Sequence, residues 1–482
     1  NIQYFKFAIN TVRGKYDALE EGHKNNDDIK GTIKDESQDG EVTHFQALAT
    51  AVSGTVGNGN IAGVDLAIAL GGPGATFWMI VCGILGMSTK FVECTLGVKY
   101  RDLGEDGTVY GGPMYYISKG LKERGFAFFG KISAILFAIF CIGGSFGGGN
   151  AAQSNQATVV LKQLMGLEST ASGAIIGCII ALIVGVIIIG GIRRIASVTE
   201  KIVPFMALLY ILACLYIILL NFNLIDDAIN LIFVEAFNPT AIGVGSVIGV
   251  LLVGFQRAAF SNEAGAGSAS IAHSAVKTKY PASEGLVALL EPFIDTVVIC
   301  TMTAHVIIMF NFNGAFDYGG IPGSIEQPDE TLDVIIYGKL YENVEGKVMI
   351  DGNLEEGAGI TTKAFSKYIP FANIFLTIAV FLFAISTMIS WSYYGLQSWM
   401  YIFGKSKISE MTYKSLFLIF IVIGAAGDMS SVWAFSDAMI LALVFPNMIG
   451  LLFLFPRVRE ELNSYLKAIS SIKINKEKTK LK

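Results

Sequence analysis

Apolar blocks recur along the whole chain, and short polar stretches separate them. Each block has roughly 20 to 30 residues, enough for a helix to cross a hydrocarbon core of about 30 Å, whereas a barrel strand needs only about ten. The predicted spans begin near Phe45, Ala75, Ile132, Ser172, Val203, Ile242, Leu286, Phe371, Ser415 and Ala434. The pattern therefore predicts an all-α polytopic membrane protein with about ten transmembrane helices.

Composition supports a lipid environment. The 482 residues are 53% hydrophobic and 16% charged, with a mean hydropathy of +0.56. A soluble domain carries about 25% charged residues. The net charge of -5 is spread over the loops and leaves no broad basic surface, so we expect no nucleic-acid partner.

Lysine and arginine alternate between loops as they do when basic loops stay in the cytoplasm. One set of loops holds Lys30, Lys34, Arg101, Lys119, Lys122, Arg124, Arg193, Arg194, Lys277, Lys279, Lys405, Lys407, Arg457 and Arg459. The opposite set holds Asp226, Asp227, Glu235 and Asp428, with Lys162 as a rare base. This distribution predicts a multi-pass protein of the cell membrane whose N- and C-terminal segments are both cytoplasmic.

Ten spans divide into two sets of five, and an odd number per set makes the second set run in the opposite sense, as in an inverted repeat. The predicted repeats are 44–222 and 240–456. Residues 223–239 are expected to form an extracellular interfacial segment, 313–365 an extracellular insert and 457–482 a basic cytoplasmic tail.

In such repeats the opening helix of each half is broken near the midplane, and both opening spans contain suitable interruptions. Span 1 has the glycine-rich stretch SGTVGNGNIAG around Asn58 and Asn60. Because glycine is unfavourable inside a helix, this cluster indicates either unwinding or close helix packing, and the asparagine amides favour unwinding. In span 6, Arg257 and Glu263 flank Ser261 and Asn262, at a break or at a cytoplasmic helix end.

Several motifs then carry a family resemblance. The segments SGTVGNGNIAGV, GGPGATFW, GGPMYYISKGL, GFQRAAFSNEAGAGSA and FAISTMISWSYYG resemble those of the alanine or glycine:cation symporter family, which has a leucine-transporter-like fold. The similarity extends from His44 to about Pro456. Members of that family carry one more helix before the region that matches Thr43, so we expect residues 1–43 to be a cytoplasmic segment that follows such a helix.

The resemblance implies a substrate site between the two breaks. The substrate carboxylate would meet the backbone N–H groups of Asn58 and Gly59, with Asn60 nearby. Gln153 would add a polar contact, although its patch, GNAAQSNQ, also fits a hydrated helix end. The remaining residues implied for the pocket are Phe260, Ser261, Asn262, Met388 and Trp391.

The resemblance also implies a sodium site beside this pocket. Its oxygen ligands would be the hydroxyls of Ser386 and Thr387 and the carbonyls of Ser53, Val56 and Phe383. Uncharged oxygen ligands suit sodium better than a softer metal. The residues alone leave open the alternative that these hydroxyls bond back to their own helix.

Other charged residues in the spans have no assigned role at this point. Lys90 and Glu93 are expected to form a structural ion pair, while Glu291, Asp295 and His305 either pair or line a water path. Asp65, where the family has an uncharged residue, is unexplained.

The expected function is symport of alanine or glycine with sodium by alternating access, with no cofactor and no obligate protein partner. A proton-coupled amino-acid transporter, or a sensor or channel of the same fold, stays open. An enzyme is disfavoured because the sequence has no HExxH, GxSxG or P-loop motif.

Overall fold

The structure is a computed structural model that describes residues 4–19, 40–105, 107–167, 169–239, 246–321, 325–326, 332–336, 339–341, 346–427 and 429–480. Lys30, Lys34 and Asp428 lie outside the described residues, as do much of the segment 1–43 and part of the insert 313–365.

Among the described residues, ten helical spans make up the bundle. Their bounds are His44–Thr55 and Ala62–Gly71 for span 1, Gly74–Lys99 for span 2, Ala127–Met165 for span 3, Thr170–Ile188 for span 4, Gly191–Leu220 for span 5, Val247–Asn262 and Ser270–His273 for span 6, Pro281–Asn311 for span 7, Ala372–Phe403 for span 8, Lys407–Ala426 for span 9 and Met429–Lys480 for span 10. Eight of them hold an apolar helix long enough to cross a membrane, and spans 1 and 6 are the broken ones. The predicted count and both predicted breaks are confirmed.

Shorter elements connect the spans. The additional helices are Phe5–Val12, Pro113–Glu123, Ile225–Phe237 and Ala358–Ser366, with single 3-10 turns at Asp17–Leu19 and Phe222–Leu224. In the part of the chain that the structure describes, the strands form three small antiparallel sheets: Asp102–Leu103 with Val109–Tyr110; Ile325–Glu326, Leu332–Ile336 and Lys339–Tyr341; and Val348–Ile350 with Asn353–Glu355. Spans 3 and 7 each contain a π-helical stretch, Gly147–Ala151 and Phe293–Cys300.

The packing of the spans places both breaks inside the bundle. Span 2 packs against spans 6 and 7, while span 8 packs against span 3 and the first half of span 1. Asn58 and Asn262, one from each break, are 0% exposed. On the outside, Leu85, Leu182 and Leu452 are 60%, 71% and 72% exposed, as expected of side chains that face lipid.

Asp65 has a structural role that the sequence did not reveal. It lies in the second half of span 1, fully buried, and its Oδ1 accepts a hydrogen bond from the Thr361 hydroxyl at 2.6 Å. Its Oδ2 accepts from the Thr361 backbone N–H at 3.1 Å. Thr361 is in the first turn of the helix Ala358–Ser366, where N–H groups lack partners within the helix and a carboxylate is favourable. Asp65 therefore ties span 1 to the helix that follows the insert.

We expect Asp65→Ala to destabilise the protein by about 1–3 kcal/mol, because Thr361 loses both acceptors in a buried place. The measurement is thermal unfolding of the detergent-purified protein. Asp317→Ala is the matched control, since Asp317 is exposed. Equal melting temperatures for the two variants would contradict this role of Asp65.

Candidate functional site

The break in span 1 begins where the helix His44–Thr55 ends, and it contains a single 3-10 turn, Asn58–Asn60. Gly57 is needed here because a Cβ at this position would lie 2.4 Å from the Thr387 hydroxyl oxygen of span 8. The backbone of span 1 thus lies so close to span 8 that a side chain at this position would have to displace the Thr387 hydroxyl.

Side chains satisfy the backbone groups that this break leaves without helical partners. The Gly57 N–H donates to Asn60 Oδ1 at 2.9 Å, and the Asn58 N–H donates to Gln153 Oε1 at 3.1 Å. The Gln153 amide in turn donates to the Gly148 carbonyl at 2.9 Å. The Asn58 N–H predicted to bind a carboxylate is therefore held by Gln153, and a carboxylate bound there would replace that contact.

The break in span 6 starts at Glu263, which has a left-handed backbone conformation (φ 55°) and ends the helix Val247–Asn262. Gly265 and Gly267 also have positive φ angles, so the chain turns sharply before the short helix Ser270–His273. The Gly265 N–H donates to Glu93 Oε1 of span 2 at 2.8 Å. A buried carboxylate thus satisfies this break.

Asp295 in span 7 connects the two breaks. Its Oδ1 accepts a hydrogen bond from the Asn60 amide at 2.7 Å, and its Oδ2 accepts from the Ser261 hydroxyl at 2.8 Å. Asn262 donates to the neighbouring Thr296 hydroxyl at 2.9 Å. Asn60, Ser261 and Asn262 therefore face span 7, a partner that sequence reasoning did not assign to them.

A small cavity lies between the breaks. Its volume is about 10 Å³, about the space of one water molecule. Its lining residues are Gly54, Thr55, Gly59, Gly148, Gln153, Phe260, Glu263, Thr387, Trp391 and Ile440. The predicted residues Gly59, Gln153, Phe260 and Trp391 lie on this wall. Binding an amino acid here requires the wall to move outward.

Glu263 is the charged residue in this wall that the sequence analysis did not assign to the pocket. The Trp391 indole N–H donates to Glu263 Oε1 at 2.9 Å, and the Ser268 hydroxyl donates to Oε2. The sequence contained a signal for Glu263, because an acidic residue stands between the small residues of SNEAGAG. The wall is completed by Ile440 of span 10, while the predicted Met388 is buried within span 8 and does not line the cavity.

The residues predicted to bind sodium meet where span 8 crosses span 1. Thr387 Oγ1 donates to the Ser53 carbonyl at 3.1 Å, and the Ser53 hydroxyl donates to the Ser386 carbonyl at 2.7 Å. The Ser386 hydroxyl donates to the Phe383 carbonyl at 2.9 Å. Val56, which follows the first half-helix, is also buried. Uncharged hydroxyl and carbonyl oxygens are thus concentrated beside the cavity, with Thr387 belonging to both.

Comparison with known proteins gives consistent similarities. Residues 24–480 match the model of the sodium:alanine symporter family. The sodium/alanine symporter AgcS of Methanococcus maripaludis is 37% identical over 446 residues, which cover 92% of this chain and 88% of that protein. The amino-acid carrier protein AlsT of Bacillus subtilis is 32% identical over 412 residues, which cover 85% and 77%.

Among solved structures, the crystal structure of MhsT in complex with L-phenylalanine has a TM-score of 0.52 at 13% identity. The match covers 87% of this chain and 99% of that chain. At this identity the similarity shows the fold alone. It agrees with the leucine-transporter-like arrangement of five plus five spans.

We expect Gly57→Ala to destabilise the protein by about 1–3 kcal/mol, because the new methyl group has to displace the Thr387 hydroxyl. Gly63→Ala in the same span is the control, since its Cβ would have nothing within 4 Å. Thermal unfolding of the purified variants measures both effects. Adding Thr387→Ala to Gly57→Ala removes the clashing atom, so the double variant should recover part of the loss. Additive losses in that variant would contradict the proposed contact.

Proposed function

Because this chain belongs to the sodium:alanine symporter family, we propose that it carries alanine or glycine across the membrane together with sodium by alternating access. The chain is a multi-pass membrane protein, and the family and its relatives are transporters rather than enzymes. The family and its relative AgcS are named for sodium and alanine, which supports a cation-coupled amino-acid transporter. The choice of alanine or glycine, the role of each residue and the mechanism are the proposal.

The main support for the proposal is that residues from three key elements line the same cavity. Gly59 from the break of span 1, Glu263 from the break of span 6 and Thr387 from span 8 all line it. A broken helix offers free backbone N–H groups to an anion and free carbonyls to a cation. One substrate and one cation can therefore share the residues around the first break.

Recognition of the substrate follows from the groups in this wall. The carboxylate takes the backbone N–H groups of Asn58 and Gly59, and Gln153 moves from Asn58 to the substrate. The ring of Phe260, the indole of Trp391 and the side chain of Ile440 limit the space left for a substrate side chain. This crowding supports substrates of the size of glycine and alanine.

Sodium is proposed to bind the carbonyls of Ser53, Val56 and Phe383 and the hydroxyls of Ser386 and Thr387. Hard, uncharged oxygen ligands suit a monovalent cation that has lost its water. A sodium ion here takes over the Thr387 contact to Ser53 and holds span 8 against the break of span 1. Substrate affinity rises with sodium because both ligands order the same stretch of backbone.

The orientation and the division into repeats remain part of the proposal. The basic loops favour cytoplasmic N- and C-terminal segments, with 44–222 and 240–456 as the two repeats. Transport then consists of movement of the helices around the breaks relative to the surrounding spans, which opens the cavity to each side in turn.

The proposal is tested by uptake of labelled alanine into proteoliposomes, with an inward sodium gradient and then with potassium in its place. We expect concentrative uptake only with sodium. Uptake that is unaffected by the ion exchange would support a proton-coupled transporter instead. Binding of alanine without uptake would support a sensor.

Thr387→Ala should raise the sodium concentration for half-maximal uptake by about 10- to 100-fold, since a contact to a charged ligand contributes about 1.5–3 kcal/mol. Thr387→Ser retains the hydroxyl and should stay near the unmodified protein. Thr377→Ala is the control on the same helix, because its hydroxyl bonds to the Asn373 carbonyl of its own turn. An unchanged sodium requirement in Thr387→Ala would rule out this cation site.

Ile440→Ala should widen the cavity and let larger neutral amino acids compete with alanine, with about a tenfold gain for leucine, because an apolar contact of this size is worth about 1–3 kcal/mol. The control is Leu443→Ala, a comparable truncation in span 10 at a buried position that does not line the cavity. The measurement is inhibition of labelled alanine uptake. Equal selectivity in both variants would contradict the role of Ile440.

A further inference from the structure

A chain of buried ionisable side chains runs through spans 1, 2, 6 and 7 on the side of the second break. His44 Nδ1 contacts Glu284 Oε2, and His273 Nδ1 lies 2.5 Å from Glu284 Oε1. His273 Nε2 is 3.6 Å from Glu291 Oε2. Glu291 Oε1 accepts a hydrogen bond from Lys90 Nζ at 2.9 Å. Lys90 therefore pairs with Glu291 of span 7, which corrects the expected pair with Glu93 of its own helix.

Three buried polar atoms in this series or beside it have no hydrogen-bond partner among the described residues. They are His273 Nε2, Glu291 Oε2 and Glu93 Oε2. An unpaired buried polar atom is unfavourable. His273 Nε2 and Glu291 Oε2 face each other at 3.6 Å, too far apart for a good direct hydrogen bond, and a water between them would satisfy both atoms.

One end of the chain reaches the substrate cavity. Glu93 and Glu263 both interact electrostatically with the Lys90 ammonium. Glu93 Oε1 also accepts from the Gly265 N–H, two residues after Glu263. Glu263 itself lines the cavity. A change of charge at Lys90 or Glu291 therefore alters the electrostatic potential at the wall of the cavity.

The other end reaches the protein surface. His44 is 9% exposed, whereas Glu284, His273 and Glu291 are 0% exposed. It is the first residue of span 1, directly after the cap residue Thr43. Among these four residues, His44 is thus the one through which protons can reach bulk water.

The charges of this group do not balance unless it binds protons. Lys90 supplies one positive charge against the carboxylates of Glu93, Glu263, Glu284 and Glu291, all of them buried. Full ionisation with two neutral imidazoles leaves a net charge of about -3 in a region of low dielectric, which is strongly unfavourable. Protons on His44 and His273, or on the carboxylates, reduce this charge, and histidine changes its charge most readily near neutral pH.

Other titratable groups lie around this series of ionisable side chains without belonging to it. They are Cys94 on span 2, Arg101 after span 2, Tyr116 on the helix Pro113–Glu123, Asp295 on span 7 and Tyr394 on span 8. Arg101 donates to the carbonyls of Ser274 and Val276. Asp295 accepts from Asn60 and Ser261. The histidines are therefore the groups best placed to exchange a proton with the surface.

We propose that His44, Glu284, His273 and Glu291 form a binding site for an exchangeable proton, which enters and leaves at His44, and that binding of sodium and the amino acid at the cavity releases this proton. The inference rests on the proposed function for its two ligands. The release follows from electrostatics, because an added cation near Glu263 favours the deprotonated form of the neighbouring carboxylates. By linkage, a higher proton concentration then weakens the binding of sodium.

The test measures protons directly. The purified full chain in weakly buffered detergent solution, with a pH-indicator dye, receives sodium chloride and then alanine, and potassium chloride replaces sodium chloride in the parallel sample. We expect acidification in proportion to the amount of protein with sodium and alanine, and none with potassium. Glu284→Gln should lose most of this acidification, because it removes the carboxylate between both histidines.

Glu461→Gln is the matched control, since Glu461 pairs with Lys99 in a partly exposed contact between spans 10 and 2. It should release as many protons as the unmodified protein. If size-exclusion chromatography and thermal unfolding show that Glu284→Gln does not fold, His44→Gln at the surface end replaces it. That variant should likewise lose most of the acidification.

Sodium-dependent uptake without any proton release would overturn this inference and leave the proposed function standing. Equal release in Glu284→Gln and the unmodified protein would also overturn it. Absence of sodium-dependent alanine uptake in proteoliposomes would instead refute the proposed function, whatever the dye shows.

Discussion

The arrangement of the whole bundle depends on one constraint, which is that backbone N–H and carbonyl groups freed by a broken helix cannot be left without partners in a membrane. Both breaks meet it with side chains, and each break uses at least one from another span. Gln153 of span 3 accepts from the Asn58 N–H, and Glu93 of span 2 accepts from the Gly265 N–H. Asp295 of span 7 fixes the side chains of Asn60 and Ser261. The supporting spans are positioned where these partners are needed.

Such partners differ in one respect from the regular bonds of a helix. An amide or a hydroxyl can rotate away and make room for a ligand, whereas a helical carbonyl cannot. Gln153 and Thr387 are examples. Gln153 accepts from the Asn58 N–H and Thr387 donates to the Ser53 carbonyl, both in span 1, and both side chains also line the cavity. The protein thus satisfies its breaks with contacts that a carboxylate or a cation can replace. In the proposed mechanism, opening the cavity exchanges bonds instead of simply breaking them.

The sequence was sufficient to predict features that depend on positions near one another in the chain. The spans follow from apolar length, and the breaks follow from the clustering of glycine with polar residues. Partners across the bundle were not predictable. Lys90 and Glu93, three residues apart on one helix, suggested a pair, but Lys90 meets Glu291 from span 7. Asp65 was unexplained because its partner Thr361 is 296 residues away.

The same limit applies within the candidate site. Polarity showed that Ser261 and Asn262 need partners in the membrane, but not that span 7 supplies them. Glycine showed that the backbone at Gly57 is crowded, but not that Thr387 is the neighbour. Periodicity fixes which face of a helix is polar, whereas the rotation and depth of the facing helix decide which residue it meets.

Buried charge is the remaining peculiarity of this bundle. An ion pair buried in a core adds little stability over an apolar pair of the same shape, because desolvation offsets the attraction. A role in stability alone therefore does not account for Lys90, Glu93, Glu263, Glu284 and Glu291 in one region. Those residues lie between spans 2, 6 and 7, beside the break and the cavity wall. Charges that are weakly stabilising yet sensitive to their surroundings are well suited to the change of contacts that we propose for this region when a ligand binds.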